Sequence, residues 1–310
     1  MKAALLYAPG DLRIEELPRP EPGPGDVLVQ VEIALTDGTD LKTYRRGHPL
    51  LLTESPARFG HEFCGLLDGR RVVAANSAPC GRCEGCERGE QCRDLAFLAG
   101  AYAEWLVVPE HIAAVNLHDV PRGVAPEVAA MVEPLACCLR GIERARITAG
   151  DTVAVLGAGP IGLMLAACVA DAGGWPVIVG GREERRALVE EFGAEVGDGR
   201  GADVVVEAAG TEQAWSDAVE LVRPGGTVVM FGGLPRDARP PVDAYRVHYE
   251  ELTVRGSFHH TPQTVRAALV FLASGAYPWG RLVTHRVSLD ELPALVEAPP
   301  ADLLKAAVVF

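Results

Sequence analysis

A cluster of four cysteines is the densest group of potential metal ligands in the chain. They lie within thirteen residues, at Cys80, Cys83, Cys86 and Cys92. Four thiolates can surround one Zn²⁺ tetrahedrally, and a closed all-sulfur set suits a structural ion rather than a catalytic one. Glycines at 81, 85 and 89 allow a short loop to wrap around an ion. Two local disulfides or free thiols are the alternatives, and a reducing compartment disfavours the disulfides.

A glycine-rich segment has the pattern of a dinucleotide phosphate site. Gly157-Ala158-Gly159-Pro160-Ile161-Gly162 follows a strand-like run and opens a helical one. In this pattern Gly157 makes the tight turn, Gly159 lets the backbone approach a pyrophosphate, and Gly162 packs the helix on the strand. The free N–H groups at the start of the helix then face the phosphates. The alternative is a merely glycine-rich turn, but the flanking strand and helix favour a dinucleotide site.

The next strand ends without the carboxylate that normally binds the adenosine ribose. It runs into Val179-Gly180-Gly181-Arg182. Glu183 and Glu184 fall in the predicted first helical turn, where acidic side chains commonly stabilise a helix end. Loss of the carboxylate leaves room for a ribose 2′-phosphate, and an arginine offers a planar fork to bind it. The pattern predicts NADP rather than NAD, with a plain surface arginine as the alternative.

Further candidate ligands are dispersed along the first half of the chain. They are Asp37 and Thr39 in the segment Asp37-Gly38-Thr39-Asp40, His61 and Glu62 after Gly60, and Glu133 before Pro134. None of these is specific when taken singly. A lone histidine is more often a satisfied core or loop residue than a ligand, and Asp before Gly readily caps a turn.

The elements that must position these residues are of two kinds. Residues 1 to about 135 contain short strand-like runs between proline and glycine clusters, with a helical pattern from Pro126 onwards. From Asp151, short valine-rich strands alternate with helices, which favours a parallel sheet covered on both faces. The tail adds a helix over 265–272 and a strand over 306–310. The predicted strands of the alternating region are 151–156, 177–179, 203–207, 227–231 and 252–255, and its predicted helices are 161–172, 183–192 and 212–222.

The composition limits the possible partners and compartment. Hydrophobic residues make up 48% of the chain and charged residues 23%, which is ordinary for a globular protein. The net charge of −13 disfavours a nucleic-acid or membrane-binding surface. The uncharged run 152–170 contains three glycines and Pro160, which favour a strand, a turn and a helix over a membrane span. Because the first residues do not resemble a signal peptide and the cysteines suit a metal, a cytoplasmic protein is expected.

Together these segments resemble the zinc-dependent branch of the medium-chain dehydrogenase/reductase family, which includes alcohol, polyol, threonine and glucose dehydrogenases. The resemblance extends from Met1 to Phe310. It is carried by the GHE triplet at 60–62, the cysteine cluster, the EPL triplet at 133–135, the glycine-rich segment, the Phe231-Gly232-Gly233 strand end and the Gly256-Ser257-Phe258 turn. It implies an α/β protein with a GroES-like, β-rich catalytic domain at 1–136 and 259–310. A Rossmann domain with a doubly wound parallel sheet is implied at 137–258.

The resemblance also implies roles for individual residues. By position, it assigns Asp37, His61, Glu62 and Glu133 to a catalytic zinc, with Asp37, Thr39, His61 and Glu62 as the catalytic residues, and the four cysteines to a structural zinc. Thr39 matches the hydroxyl that relays the substrate proton. The family usually has a cysteine where Asp37 stands, although halophile-type glucose dehydrogenases also resemble D-G-T-D here, and Lys42 replaces a later relay histidine. Five residues rather than the usual seven separate Cys86 from Cys92.

The implied reaction is hydride transfer between an alcohol, polyol or sugar CH–OH group and NAD(P), with NADP expected. Zinc acts as a Lewis acid, Thr39 takes the proton, and the backbone around Gly232, Gly233 and Ser257 holds the nicotinamide. The expected partners are a small-molecule substrate and further copies of the chain, in a homodimer or homotetramer. Two alternatives stay open: a zinc-free reductase of the same superfamily, and a non-catalytic NADP-binding protein of the same fold.

Overall fold

The computed structural model describes residues 1–48 and 54–310 of the chain. Its contacts divide the chain into two units. Unit 1 comprises Met1–Pro134 together with Thr261–Phe310, and unit 2 comprises Leu135–His260. The two ends of the chain therefore build one unit, and the other is inserted between them. Within the described residues, no helix has both the length and the apolar character needed to cross a bilayer.

Unit 1 begins with short strands and a few short helices. The elements of its first segment are β1 (Lys2–Ala8), β2 (Asp11–Glu16), β3 (Val27–Leu35), α1 (Gly38–Arg46), β4 (Ala57–Arg58), β5 (Glu62–Leu67), β6 (Arg70–Ala74), α2 (Glu84–Glu87), β7 (Trp105–Val108), α3 (Glu110–Asn116), β8 (Leu117–Asp119) and α4 (Pro126–Ala129). The next helix, α5 (Val132–Ala145), contains the boundary between the units.

Unit 2 alternates strands and helices. Its elements are β9 (Thr152–Leu156), α6 (Pro160–Asp171), β10 (Trp175–Val179), α7 (Glu183–Arg186), β11 (Glu195–Val196), β12 (Ala202–Glu207), α8 (Glu212–Leu221), β13 (Val222–Met230), α9 (Ala244–Tyr249) and β14 (Thr253–Gly256). The chain then returns to unit 1 with α10 (Pro262–Ser274), β15 (Val283–Ser288), α11 (Leu292–Glu297) and β16 (Lys305–Val309). Single 3₁₀ turns lie at Glu190–Phe192, Trp279–Leu282 and Leu289–Glu291.

The described strands of unit 1 form two sheets. The larger has the order β15-β16-β3-β5-β6-β8, with β7 also paired to β3, and the smaller has the order β2-β1-β4. Between Val29 and Ile33, strand β3 alternates buried Val29, Val31 and Ile33 with the more accessible Gln30 and Glu32, as expected for a strand with one face on a core. Strand β16 pairs with β3 through Ala307 and Leu35, so the C-terminal segment completes the sheet begun by the N-terminal one.

The register of unit 1 places three chain segments side by side. Glu62, the first residue of β5, pairs with Leu35, the last residue of β3. The backbone N–H of Thr36 donates to the carbonyl of Ala306 at the start of β16. The residues just after β3, just before β5 and at the start of β16 therefore meet at one end of the sheet.

The described strands of unit 2 form one all-parallel sheet in the order β11-β10-β9-β12-β13-β14. Successive strands are added towards one edge from β9 to β11 and towards the other edge from β12 onwards, so a switch point lies between β9 and β12. Doubly wound folds bind ligands at such a point, beyond the carboxyl ends of the strands. Residues Val153–Leu156 of β9 are all buried, as are Gly162–Val169 of α6, because the sheet is covered on both faces. The predicted α/β fold, with a doubly wound parallel sheet and a separate β-rich unit, is confirmed.

One predicted element differs from the structure. The single helix predicted over 183–192 is instead α7 (Glu183–Arg186) followed by a 3₁₀ turn at Glu190–Phe192. The backbone between them makes i→i+3 bonds, such as the one from the Val189 N–H to the Arg186 carbonyl, and this tightening buries Leu188, Val189 and Phe192. Gly193 then ends the turn in the left-handed conformation.

Candidate active site

Asp37, His61 and Glu62 converge at the end of the unit 1 sheet. A ligand atom from each lies within 4.8 Å of the other two. The β3–β5 register accounts for this, because Asp37 follows β3 by two residues and His61 immediately precedes β5. The side chain of Glu62 is fully buried and that of His61 is 6% exposed. Carboxylate oxygens and an imidazole nitrogen are ligands that a divalent ion of the zinc type accepts.

Asp37 uses its two carboxylate oxygens differently. It is the N-cap of α1, where Oδ1 accepts the Asp40 backbone N–H at 2.8 Å and the Asp40 carboxylate accepts the Asp37 N–H at 3.1 Å. The other oxygen, Oδ2, lies 3.8 Å from Nε2 of His61. Burial opposes ionisation of Asp37, but the charges of His61 and Lys305 outweigh it, so the pKa of Asp37 falls below its usual range. The helix cap therefore leaves one oxygen facing the imidazole.

His61 is held from its other side by Asp40. Its Nδ1 lies 3.5 Å from Oδ1 of Asp40, and the buried hydroxyl of Tyr102 donates to Oδ2 of the same carboxylate. Burial would lower the pKa of His61, but Asp37 and Asp40 together raise it well above its usual value. Gly60 is required beside this group, since it has φ +83° and a Cβ there would lie 2.6 Å from the Tyr102 ring.

Glu62 forms a buried ion pair with Lys305. The Lys305 ammonium lies 2.6 and 2.7 Å from the two Glu62 oxygens and also donates to the Thr36 carbonyl at 3.3 Å. Both side chains are fully buried. Burial raises the pKa of Glu62, and Lys305 opposes that shift. A buried charge of this kind is tolerated only with a close partner, so Lys305 keeps a carboxylate next to His61 without leaving it uncompensated.

The remaining dispersed residues lie around this group. Glu133, in the first turn of α5, is buried and lies outside the three-residue cluster, but its charge contributes to the raised pKa of His61. Thr39 stands in the first turn of α1, and its side chain contributes to the lowered pKa of Asp37. Lys42 lies one turn further along α1 and is half-buried.

The four cysteines surround a common point in unit 1. The Sγ–Sγ distances are 4.0 Å for Cys80–Cys86, 3.6 Å for Cys83–Cys86 and 3.8 Å for Cys83–Cys92. Tetrahedral zinc with Zn–S bonds of about 2.3 Å would separate its sulfurs by about 3.8 Å. Backbone N–H groups of Arg93 and Cys86 lower the pKa of the Cys83 thiol to about 6, which favours a thiolate. The shortened spacing before Cys92 is therefore compatible with a four-sulfur zinc site.

The glycine-rich segment forms a sharp turn between β9 and α6. Gly157 has φ +114°, and a Cβ on Gly162 would lie 1.9 Å from the Gly157 carbonyl oxygen, so both positions need glycine. Gly159 is the N-cap of α6, Pro160 and Ile161 open the helix, and a Cβ on Gly159 would meet nothing within 4 Å. The first backbone N–H groups of this 12-residue helix are positioned to bind a phosphate.

The end of β10 lies against the same turn. Gly180 and Gly181 have φ values of +75° and +84°, and a Cβ on Gly181 would lie 2.4 Å from Cβ of Ala158. This contact excludes a carboxylate side chain at 181. Arg182 follows as the exposed N-cap of α7. The strand end at Gly180 and Gly181 therefore carries no ribose-binding acid, and Arg182 follows it at the start of α7.

The ends of β13 and β14 carry the other predicted cofactor residues. The Ser257 N–H donates to the Met230 carbonyl, which places Ser257 beside the strand end that leads into Gly232 and Gly233. The Ser257 hydroxyl oxygen is buried and makes no hydrogen bond to the described residues. A Cβ on Gly233 would meet nothing within 4 Å. A buried hydroxyl without a protein partner beside open backbone suits a polar ligand group.

Sequence reasoning did not assign several residues that the structure places in these sites. They are Asp40, Tyr102, Lys305 and Glu207. Lys305 was visible as the lone charge in the run 303–310, and Glu207 as the acid that ends a valine-rich strand. Asp40 stands three residues after Asp37, the spacing of a reciprocal helix cap. Tyr102 has no local sequence signal, because its partner Asp40 is 62 residues away.

Doubly wound parallel sheets with this glycine turn bind dinucleotides, and the metal-ligand groups of unit 1 indicate a metal-dependent dehydrogenase. Residues 23–121 match the family model for the alcohol dehydrogenase GroES-like domain, and residues 195–274 match that for zinc-binding dehydrogenases. The chain belongs to the zinc-dependent medium-chain dehydrogenase family. It is an oxidoreductase that acts on alcohol CH–OH groups, as predicted.

Individual relatives cover nearly the whole chain. Sorbitol dehydrogenase from Bacillus subtilis (strain 168) is 29% identical over 96% of this chain and 93% of its own. Erythritol/L-threitol dehydrogenase from Mycolicibacterium smegmatis is 31% identical over 94% of this chain and 92% of its own. The crystal structure of a zinc-binding dehydrogenase from Sinorhizobium meliloti 1021 bound to NADP has a TM-score of 0.89 and 33% identity, covering 100% of this chain and 99% of its own.

Proposed function

We propose that this chain is a zinc-dependent dehydrogenase that transfers hydride between a polyol or sugar hydroxyl carbon and NADP. The observation that carries the proposal is the convergence of Asp37, His61 and Glu62 within 4.8 Å in a buried part of unit 1. Relatives that act on sorbitol and on erythritol or L-threitol support the substrate class. The NADP-bound relative from Sinorhizobium meliloti supports the cofactor.

We propose Asp37 and His61 as the ligands of the catalytic zinc, with Glu62 and Glu133 as further carboxylates around it. The fit rests on the donor set, since Oδ2 of Asp37 and Nε2 of His61 face each other at 3.8 Å. The acid and imidazole donors suit zinc, although a site without sulfur selects less strongly against Mn²⁺ or Mg²⁺ than a cysteine-containing one. Cys80, Cys83, Cys86 and Cys92 would hold the structural zinc.

When bound, zinc supplies a Lewis acid that lowers the pKa of a substrate hydroxyl, and the nicotinamide ring exchanges the hydride. The residues of the chain position these groups and handle the proton. Thr39 would take the hydroxyl proton, and its position two residues after Asp37, in the first turn of α1, supports this role. Asp40 fixes the imidazole of His61, and Lys305 balances the charge of Glu62.

For the dinucleotide, we propose that unit 2 binds the pyrophosphate at Gly157, Gly159, Pro160, Ile161 and Gly162. The tight turn and the open N-terminus of α6 support this. Gly180, Gly181 and Arg182 would hold the adenosine ribose and its 2′-phosphate. Gly232, Gly233 and the buried Ser257 hydroxyl would hold the nicotinamide end.

The decisive experiment separates the two roles of Asp37. Asp37→Asn keeps an oxygen that can cap α1, since Asn and Asp cap equally well, but removes the negative ligand. We expect it to fold normally, to lose the exchangeable zinc while keeping the cysteine-bound one, and to lose at least about a hundredfold in turnover. Elemental analysis and a screen of polyols with NADP⁺ measure both effects. Asp68→Asn, an exposed turn residue of the same unit, is the control.

Asp37→Cys is the companion variant. It puts a thiolate at the ligand position, so we expect activity to persist with greater selectivity for zinc over Mn²⁺. If Asp37→Asn keeps normal turnover and both zinc ions, Asp37 acts as a helix cap alone and the proposed catalytic site is wrong.

We further propose that the protein assembles as a homodimer or homotetramer in the cytoplasm. Strand β14 is an edge strand of the unit 2 sheet among the described residues, and Val254 on it is 43% exposed. None of the eight cysteines, all of which lie in the described residues, forms a disulfide, as expected in a reducing compartment. Sedimentation at micromolar concentration and cell fractionation test these two points, and a monomer or an exported protein would refute them.

A further inference from the structure

Glu207 is a buried carboxylate at the carboxyl end of β12. It is fully buried, and its side chain accepts the Gly210 N–H at 2.6 Å through Oε1 and the Gly232 N–H at 3.1 Å through Oε2. Its backbone carbonyl accepts the N–H groups of Phe231 and Gly232 at 3.1 and 2.9 Å. One residue thus connects the loop after β12 to the loop after β13.

Trp215 binds the next peptide group, which joins Gly232 to Gly233. Its indole Nε1–H donates to the Gly232 carbonyl at 2.9 Å from helix α8. The N–H and the carbonyl of Gly232 are therefore both bound by side chains of neighbouring elements. Glycine is required there, because a Cβ would lie 2.5 Å from Oε2 of Glu207 and 2.6 Å from the Gly210 backbone.

The position of this arrangement suggests its purpose. In doubly wound sheets the first strand turn holds the pyrophosphate and the second strand end holds the adenosine ribose, so the nicotinamide half extends beyond the switch point. In unit 2 that direction leads towards the ends of β12, β13 and β14. Gly232 and Gly233 lie there, beside the buried Ser257 hydroxyl.

We propose that Glu207 and Trp215 are positioning residues that fix the Gly232–Gly233 backbone for the nicotinamide end of the cofactor. The inference rests on the proposed function in that it takes unit 2 to bind a nicotinamide dinucleotide. The two side chains need not touch the cofactor. They set the orientation of the peptide next to it, which a loop of two glycines would not hold unaided.

The test compares NADPH with 2′-phospho-ADP-ribose, which lacks the nicotinamide. Glu207→Gln replaces one acceptor oxygen with an NH₂ donor that must face a backbone N–H, so one of the two bonds is lost. We expect its Kd for NADPH, from fluorescence titration, to rise about tenfold. The Kd for 2′-phospho-ADP-ribose, from calorimetry, should stay unchanged, because the pyrophosphate turn and the strand tip at Arg182 are intact.

Trp215→Phe is the milder variant, since it keeps an aromatic ring while it removes the N–H donor together with part of the indole. We expect a rise of about threefold in the NADPH Kd. Asp203→Asn is the matched control: it alters a carboxylate near the amino end of the same strand that also accepts a backbone N–H, from Thr152 at 2.9 Å. It should leave both affinities unchanged.

Each outcome decides between the possibilities. Selective loss of NADPH affinity in both variants supports the positioning role. An equal loss of affinity for both ligands would mean that Glu207 and Trp215 only stabilise unit 2. No loss of affinity for either ligand would mean that these two side chains do not position the backbone for the cofactor. Both results overturn the inference. Failure of the unaltered protein to bind either ligand would instead refute the proposed function and the inference with it.

Discussion

Nδ1 of His61 lies 3.5 Å from the Asp40 carboxylate, while its Nε2 faces Oδ2 of Asp37 at 3.8 Å. A carboxylate at Nδ1 favours the tautomer with the proton on that nitrogen, which leaves the Nε2 lone pair for a metal. Asp37 and Asp40 are also joined by the reciprocal cap of α1. The N-cap and first turn of one short helix therefore supply both the proposed ligand Asp37 and the residue that orients the proposed ligand His61.

Tyr102 extends this arrangement and gives the first prediction. Its hydroxyl donates a hydrogen bond to the Asp40 carboxylate and lies 3.0 Å from the Leu35 carbonyl oxygen. Tyr102→Phe removes only the hydroxyl, so Asp40 loses a donor and holds His61 less firmly. We expect the exchangeable zinc to bind about tenfold more weakly, as for other changes one step beyond a metal ligand. Competition with a chelator measures this affinity.

Tyr44→Phe is the control for Tyr102→Phe. Tyr44 is another largely buried tyrosine of unit 1, and its hydroxyl donates to the Gly10 carbonyl at 3.1 Å. Both variants should lower the free energy of unfolding by about 1 kcal/mol through the lost hydrogen bond. Equal zinc affinity in the two variants would show that Tyr102 is a packing residue without influence on the metal.

The cysteine cluster gives the second prediction. Cys92 is buried, and its Sγ accepts the Cys80 N–H at 3.4 Å and lies 3.8 Å from Sγ of Cys83. Cys92→Ser should lose one of two zinc ions per chain and lower the Tm, because a structural zinc contributes directly to folding. Elemental analysis and thermal unfolding measure these effects. The variant Cys137→Ser changes a cysteine outside the cluster and should keep both zinc ions.

A result of two zinc ions in Cys92→Ser would contradict the four-sulfur assignment. The assignment would also be contradicted if the unaltered protein contained no zinc and had four titratable thiols in the cysteine cluster. The exchangeable ion serves as an internal reference, since Cys92→Ser leaves the groups of Asp37 and His61 in place.

The fold was largely predictable because its signals are local. Alternating valine-rich strands and helices, with one glycine turn after β9, predict a parallel sheet from periodicity alone. The prediction failed over 183–192, where α7 ends at Arg186 and a 3₁₀ turn follows, with Leu188 and Phe192 buried. The two-residue strand β11 was missed because it is too short to show any period.

The site was less predictable, since its contacts are long-range. The resemblance to a family, rather than any spacing, suggested grouping Asp37 with His61. The pair Glu62–Lys305 spans 243 residues and follows from the sheet register, which no local pattern reveals. The two uses of the Asp37 carboxylate also required coordinates, because cap and ligand are alternatives in the sequence but act through different oxygens in the structure.

Cofactor choice is the last prediction, and it rests on the end of β10. A carboxylate side chain does not fit at position 181, because a Cβ there would lie 2.4 Å from Cβ of Ala158. Arg182 follows with an exposed side chain. We expect preference for NADP⁺ over NAD⁺. Arg182→Ala should raise the KM for NADP⁺ about tenfold to a hundredfold and leave the KM for NAD⁺ unchanged, because a charge-assisted phosphate contact contributes about 1.5–3 kcal/mol. Arg223→Ala, which removes an arginine at the amino end of β13 paired with Asp203, should change neither constant. Unchanged cofactor preference in Arg182→Ala would mean that the 2′-phosphate is bound elsewhere or not at all.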